Sequence, residues 1–330
     1  MAYDGKILRL ALQEFEKDRA QREASEESRR ERIFQRQPRL REIERQLCST
    51  MSRIITGALR RGTDPGPAIQ TLRDENLSLQ AEKRELLGRM GLPEDCLEEK
   101  PLCPLCGDTG YRNGKMCRCL RRYYAREQQK ELSRMLDLGS QSFDTFSLEW
   151  YPDRYDTAQG CVPRQHMEMV YDVCADYAHQ FAKRPGNLLL FGAPGLGKTH
   201  LSAAIAREVS GEGFSVVYDT AGHVFERFET QKFSREETAE SDVERVLSCD
   251  LLILDDLGTE MTTAFVQSAL YQIVNIRLME RLSTILSTNL TPGDIARRYS
   301  PQIASRIEGE YQILPFVGED IRKLKKTGKY

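Results

Sequence analysis

Eight consecutive residues, Gly192, Ala193, Pro194, Gly195, Leu196, Gly197, Lys198 and Thr199, carry the spacing GxxxxGK[ST]. Glycines at that spacing let the chain turn so that successive amide N–H groups converge on one anion, which suits the phosphates of a nucleotide. Lys198 adds a cation for the β- and γ-phosphates, and Thr199 a hydroxyl for Mg2+. A second group completes the chemistry. The apolar run Leu251–Leu254 ends in Asp255 and Asp256. Asp255 can hold Mg2+, directly or through water, and Asp256 can face the attacking water as general base or orienter. Glu260 is the reserve candidate for the base. Asn289, at the tip of the run Thr284–Thr288, can orient the same water or simply form the turn before Thr291-Pro292. Together these residues describe phosphoryl transfer from a Mg2+-bound nucleoside triphosphate. His200 follows directly and is placed at the same site, with packing its plainer role.

A separate constellation is made of sulfur. Cys103-x-x-Cys106 and Cys117-x-Cys119 flank a segment rich in turn residues, Gly107 to Lys115. A hairpin there brings the pairs together as a closed S₄ shell for Zn2+. The second pair is CxC rather than CxxC, which leaves Cys96 as an alternative fourth ligand. Four thiolates leave no open coordination position, so this zinc is structural. The next stretch, Arg118, Arg121, Arg122, Tyr123, Tyr124 and Arg126, mixes cations with aromatics. That pattern fits either a nucleic-acid grip or the solvated face of a helix.

The elements that must position these groups are legible in outline. Asn187–Phe191, Leu251–Asp256 and Thr284–Asn289 read as buried strands. The segment after Lys198 reads as an amphipathic helix, which puts the glycine-rich turn at a helix N-terminus. Strands alternating with helices predict an α/β fold with a central parallel sheet and its ligand at the strand C-termini. Upstream, residues 4–37 are dense in helix formers up to Pro38. Two apolar stripes follow, one from Leu40, Ile43, Leu47, Met51, Ile54 and Ile55, the other from Ile69, Leu72, Leu79, Leu86, Leu87 and Met90. The breaker between them, residues 62–67, predicts a helical hairpin or coiled coil. The expected organisation is a helical, partner-binding region over 1–95, a four-cysteine zinc module over 96–125, a linker helix over 126–140 and the nucleotide-binding domain over 141–330.

Composition narrows the class. The chain has 330 residues, 30% of them charged, and a formal net charge of −2. The first twenty residues are too charged for a secretory signal, and no apolar run approaches the roughly 20 residues of a membrane helix. A cytoplasmic chain without a membrane partner is expected, and nine cysteines in that setting point to metal before disulfides. Residues 101–140 hold 8 basic against 4 acidic side chains, a small basic island ahead of an acidic C-terminal half. A GTPase is disfavoured, because the chain has no Asn-Lys-x-Asp motif.

The run from Phe143-Asp-Thr-Phe146 through Gly192–His200, LLILDDLGTE (251–260), Tyr271 to Arg277, Ser287-Thr-Asn289 and Ser305-Arg306-Ile307 resembles the DnaC/DnaI-type replicative helicase loaders and their IstB-like relatives, within the AAA+ ATPases. The segment CPLCGDTGYRNGKMCRC is similar to the zinc-binding region upstream of the ATPase core in DnaI-like proteins. The resemblance implies ATP as nucleotide, with Lys198 and Thr199 in the Walker A motif, Asp255 and Asp256 in Walker B, and Asn289 as sensor 1. It implies an arginine finger at Arg306, reaching a neighbouring subunit's γ-phosphate, and sensor 2 at Arg322. It further implies slow ATP hydrolysis without partners, self-association on ATP, binding of single-stranded DNA, and loading of a replicative hexameric helicase. An IstB-like transposition helper is the alternative within the resemblance. A P-loop phosphotransferase is the alternative outside it.

Overall fold

A strand covered on both faces must be apolar at every position, and Leu188–Leu190 and Leu251–Leu254 are apolar throughout. In the computed structural model, which describes residues 3–58, 66–98, 100–136, 141–233 and 237–327, all seven of these leucines and isoleucines are buried. Each fully buried side chain of this size contributes about 1.5–3 kcal/mol. A charge introduced at Ile253 would therefore cost far more than a surface change.

The helices and strands run in the order α1 (Gly5–Arg36), α2 (Pro38–Ala58), α3 (Gly66–Arg89), β1 (Tyr111–Arg112), β2 (Lys115–Met116), α4 (Arg118–Leu136), α5 (Pro163–His179), β3 (Leu188–Phe191), α6 (Lys198–Gly211), β4 (Val216–Thr220), α7 (Ala221–Phe233), α8 (Glu237–Ser248), β5 (Leu251–Leu257), α9 (Ala264–Met279), β6 (Ser283–Thr288), α10 (Pro292–Arg298), α11 (Pro301–Glu310), β7 (Gln312–Pro315) and α12 (Ile321–Thr327). The chain divides into two units, residues 14–115 and residues 1–13 with 116–330. Among the described residues no helix is long and apolar enough to cross a membrane.

In the larger unit five strands form a parallel sheet in the order β4-β5-β6-β3-β7. The expected α/β class with a central parallel sheet is thus observed. Strands β4 and β7 are additions that the apolar-run reading did not pick out. Alternate side chains sort to two cores. Leu188, Leu190, Leu251 and Ile253 pack with α5 and α6, whereas Leu189, Leu252, Leu254 and Leu286 pack with α7, α8, α9 and α11. Helix starts are fixed locally. Thr263, Thr291 and Ser300 accept from the third amide of α9, α10 and α11, and Pro292 and Pro301 occupy the first turn. Arg277, 1% exposed, ties α9 to the base of β6 by donating to Thr284 Oγ1 (2.9 Å) and Ser283 O (2.6 Å), and to α8 by donating to Val246 O (2.9 Å).

Helix α4 belongs to the same unit. Leu120 and Tyr124 are buried, Gln128 donates to Phe214 O (2.8 Å), and the Tyr124 hydroxyl accepts from Asp4 N (3.0 Å). Tyr124 is therefore a core residue, while Arg126 lies over the Tyr123 ring at 5.7 Å. The linker helix expected over 126–140 overlaps α4, and residues 137–140 lie outside the described ones.

In the smaller unit α2 and α3 pack as a hairpin, with Leu40, Ile43 and Leu87 buried. Arg39 pairs with Glu82 in two parallel bonds (2.7 and 2.9 Å), and Lys83 with Glu44 (2.7 Å). Breaker residues 62–65, and the side chains of Met51, Ile54, Ile55 and Ile69, lie outside the described set.

Candidate nucleotide site and cysteine cluster

The glycine-rich turn joins β3 to α6, and its conformation explains its composition. Gly195 (φ 80°) and Gly197 (φ 89°) sit in the left-handed region. A Cβ at Gly195 would collide with the Asp320 carboxylate, and Gly197 begins α6 as its N-cap. The first residue of that helix, Lys198, is 6% exposed, and its Nζ donates to Gly192 O (2.7 Å), Ala193 O (2.8 Å) and Asn289 Oδ1 (2.8 Å). Burial pulls its ammonium down to about 8, although Asp255 and Asp256 favour the charged form.

Strand order creates the Lys198–Asn289 contact. Strand β6 lies between β3 and β5, so the residue after β6 comes out between the glycine-rich turn and the acidic strand end. At that acidic end the β5–β6 register slips between Leu254 and Leu257, and Asp256 takes φ 53°. Such an irregularity re-aims side chains at a strand end. Asp255 stays buried, accepting from the Tyr218 hydroxyl (2.7 Å) and the Asp256 amide (3.0 Å). Asp256 turns outward. Burial, followed by the neighbouring Asp255 charge, raises its carboxyl above the usual aspartate range.

These groups open on a cavity of about 390 Å³ lined by Pro194, Gly195, Gly197, Lys198, Thr199, His200, Asp256, Asn289 and Arg322 among others. Thr259 lines it too, together with a wall from Gln141, Thr145, Phe146, Ser147 and Trp150 and a strip from Ile321 and Lys325. Lys198, Arg322 and Lys325 outnumber Asp256, which suits an anionic ligand. His200 is held by its ring: Nε2 donates to Ser142 O (2.9 Å), Phe146 meets it edge-on at 5.4 Å, and burial lowers its pKa. Tyr151 is a core residue whose hydroxyl donates to Leu196 O (2.9 Å), Trp150 lies under Lys325 Nζ at 5.2 Å, and Tyr155 is exposed.

Asp255 is buried beside Asp256 rather than lining the cavity, and two further expected residues, one of them expected to act on a neighbouring subunit, lie away from it. Glu260 accepts from the Gly258 amide (3.0 Å) and from the Tyr299 hydroxyl, and it is not among the cavity's lining residues. Arg306 lies 5.4 Å over the Tyr271 ring and donates to its hydroxyl (3.3 Å), also away from this cavity. Of the wall residues, Gln141, Thr145 and Ser147 had no motif to announce them. The signal was positional: a segment upstream of the nucleotide strand with an aromatic every few residues.

These features meet at one cavity: a helix N-terminus with left-handed glycines, a buried lysine, and the Asp256 carboxylate at the next strand but one, with Asp255 buried beside it. Residues 170–307 match the family of IstB-like ATP binding proteins. That match agrees with the resemblance read from the sequence, to the DnaC/DnaI-type and IstB-like AAA+ proteins. Residues of this chain are 29% identical over 116 positions to the replicative helicase loader DnaC of Buchnera aphidicola subsp. Baizongia pistaciae, covering 35% of this chain and 47% of that protein. They are 33% identical over 108 positions to an insertion sequence ATP-binding protein of Sinorhizobium fredii, covering 33% of this chain and 35% of that protein. The crystal structure of a DnaC helicase loader matches 55% of this chain and 99% of its own, at 21% identity and a TM-score of 0.46. The chain thus spans half or less of the length of these two sequence relatives.

The sulfur constellation is also assembled. Cys103, Cys106, Cys117 and Cys119 bring their Sγ atoms within 4.8 Å of one another, while Cys96 packs beside the Leu40–Leu87 cluster. The turn after Cys103 is tight, with Gly107 N donating to Cys103 O (2.9 Å). The Asp108 carboxylate accepts from the amides of Leu102 (3.0 Å) and Cys103 (2.9 Å), which fixes the first pair. Sulfurs on a tetrahedral Zn2+ lie about 3.8 Å apart at the usual Zn–S length, so the donor set fits that ion with little adjustment.

Proposed function

We propose that the chain is an ATP-hydrolysing replication protein of the helicase-loader kind, which self-associates on ATP, binds single-stranded DNA and places a hexameric replicative helicase. The observation that carries the ATPase part is the buried Lys198 ammonium, bonded to Asn289 and facing the strand end of Asp255 and Asp256. A triphosphate entering the cavity offers that ammonium oxygen anions in place of the Gly192 and Ala193 carbonyls. Backbone amides and the α6 N-terminus complete the cradle.

Thr199, in the cavity, and Asp255, set behind it, would hold Mg2+; the ion would screen charge on the phosphoryl oxygens. Asp256 is the outward carboxylate and takes the role of orienting the attacking water, with Asn289 fixing its direction. Arg306 is held on an aromatic face away from its own cavity, which supports its acting on a neighbouring copy's nucleotide. Arg322 lines its own cavity and supports a sensing role there. The cluster of four cysteines would carry a structural zinc.

The loader reading draws on the DnaC relatives and on the helical hairpin and cysteine cluster ahead of the core. The match to IstB-like proteins and to an insertion sequence protein favours a transposition helper as the second reading. ATP turnover by the full chain, with and without single-stranded DNA, beside Lys198→Ala and Asp256→Asn, tests the first part. Turnover should vanish in both variants, while Asp256→Asn keeps nucleotide binding. Affinity capture with the full chain and a non-hydrolysable ATP analogue tests the second. Recovery of a hexameric helicase supports loading, and recovery of a transposase replaces it with the alternative.

A further inference from the structure

We infer that Gln141 reads the 6-amino group of the bound adenine base, an inference that rests on the ATP reading above. The cavity has a phosphate end, furnished by Lys198, Thr199, Asp256 and Asn289. A nucleoside attached to that triphosphate lies along the remaining wall, which residues 141–150 and 321–325 supply. Gln141 stands on this wall. Its Oε1 is shut off from solvent and has no hydrogen-bond partner among the described residues. A buried carbonyl oxygen without a donor is destabilising, and a ligand that brings one relieves the cost.

The neighbouring wall groups are already engaged. Thr145 Oγ1 donates to Ser142 O (3.1 Å) and lies 3.3 Å from His200 Nε2. The Phe146 ring stacks on Tyr171 (centroids 5.7 Å), and Trp150 carries Lys325. Gln141 is also held in place, since the adjacent Ser142 carbonyl accepts from His200 on the helix that begins with Lys198. The terminal torsion of a glutamine is broad, so a turn of the carboxamide presents Oε1 to the cavity without moving the backbone. A carboxamide sets one acceptor beside one donor, the complement of adenine's 6-amino group and adjacent ring nitrogen. A purine without that amino group leaves Oε1 with no donor.

The test is competition against a ribose-labelled fluorescent ATP by ATP and by purine riboside triphosphate, which lacks the 6-amino group. It uses the full chain, Gln141→Ala, and Gln141→Met, which keeps the volume. The wild-type chain should bind ATP about tenfold tighter than the deaminated analogue, the worth of one buried hydrogen bond. Both variants should bind ATP and the analogue alike, within about twofold. The Gln141 assignment is overturned by equal wild-type affinities for ATP and the analogue, or by a preference that survives in both variants. Absence of saturable binding of the labelled ATP would instead remove the ATP reading itself.

Discussion

Nucleotide affinity should fall steeply above pH 8, because Lys198 must take up a proton to meet the triphosphate. In the nucleotide-free chain burial brings the Lys198 ammonium to about 8, well below a free lysine. Taking the charged form as the binding form, about nine-tenths of the chains are competent at pH 7 and about one-tenth at pH 9. The apparent affinity therefore drops about tenfold across those two units, and calorimetry at pH 8 in buffers of different ionisation enthalpy should show uptake of about half a proton per ATP. The triphosphate's own last proton has left below this range. Asp256, although raised, titrates from an aspartate baseline, and His200 is lowered from its ordinary value, so neither mimics the effect. The sign for stability is opposite. Below pH 8 the folded and unfolded chains both hold the lysine proton, and the buried charge costs its full amount. Between about 8 and the free-lysine value the folded chain has released the proton and the unfolded chain has not, so the nucleotide-free fold gains stability as pH rises. Lys198→Arg, which cannot lose its charge, supplies the control. Constant wild-type affinity from pH 7 to 9, or the same slope in Lys198→Arg, would refute the reasoning.

Three further outcomes follow from named contacts. Tyr218→Phe removes the hydroxyl that donates 2.7 Å to buried Asp255; losing a hydrogen bond to a charged group should cost about 1.5–3 kcal/mol, seen as a lower urea midpoint, and should raise the Mg2+ concentration needed for half-maximal ATP turnover. Gly195→Ala places a Cβ into the Asp320 carboxylate at φ 80°, and labelled-ATP titration should show affinity at least tenfold weaker, with the far-ultraviolet circular dichroism unchanged. Stripping metal with a thiol-reactive mercurial and a chromogenic chelator should release about one Zn2+ per chain while leaving labelled-ATP affinity within about twofold, since none of the four cysteines lines the cavity. A chain that yields no zinc removes that assignment.

Legibility followed distance along the chain. The glycine-rich turn, the Asp255-Asp256 pair and the cysteine quartet are short contiguous motifs whose chemistry needs neighbours within a few residues. Each could be named before any fold was known. The helical hairpin was legible because Leu40, Ile43 and Leu47 keep one helical period, and Leu72, Leu79 and Leu86 a second. Strands β4 and β7 escaped, because Val216–Thr220 ends in polar residues and Gln312–Pro315 is short and proline-tipped. Glu260 lay at a plausible sequence distance for a base, yet Tyr299, 39 residues away, holds its carboxylate.

From sequence alone came the reaction class and most of its reacting groups, since phosphate binding by backbone amides, a lysine and a hydroxyl demands that spacing. What only the tertiary structure decided is which of those groups touch. Inserting β6 between β3 and β5 brings Asn289 onto Lys198 from 91 residues away, and pairing β4 with β5 puts the Tyr218 hydroxyl on Asp255. Wrapping residues 141–150 against α6 builds one wall of the cavity. Side chains that meet across strand order and helix packing leave no periodicity in the chain, because their proximity is fixed by the sheet and its two cores rather than by any local turn.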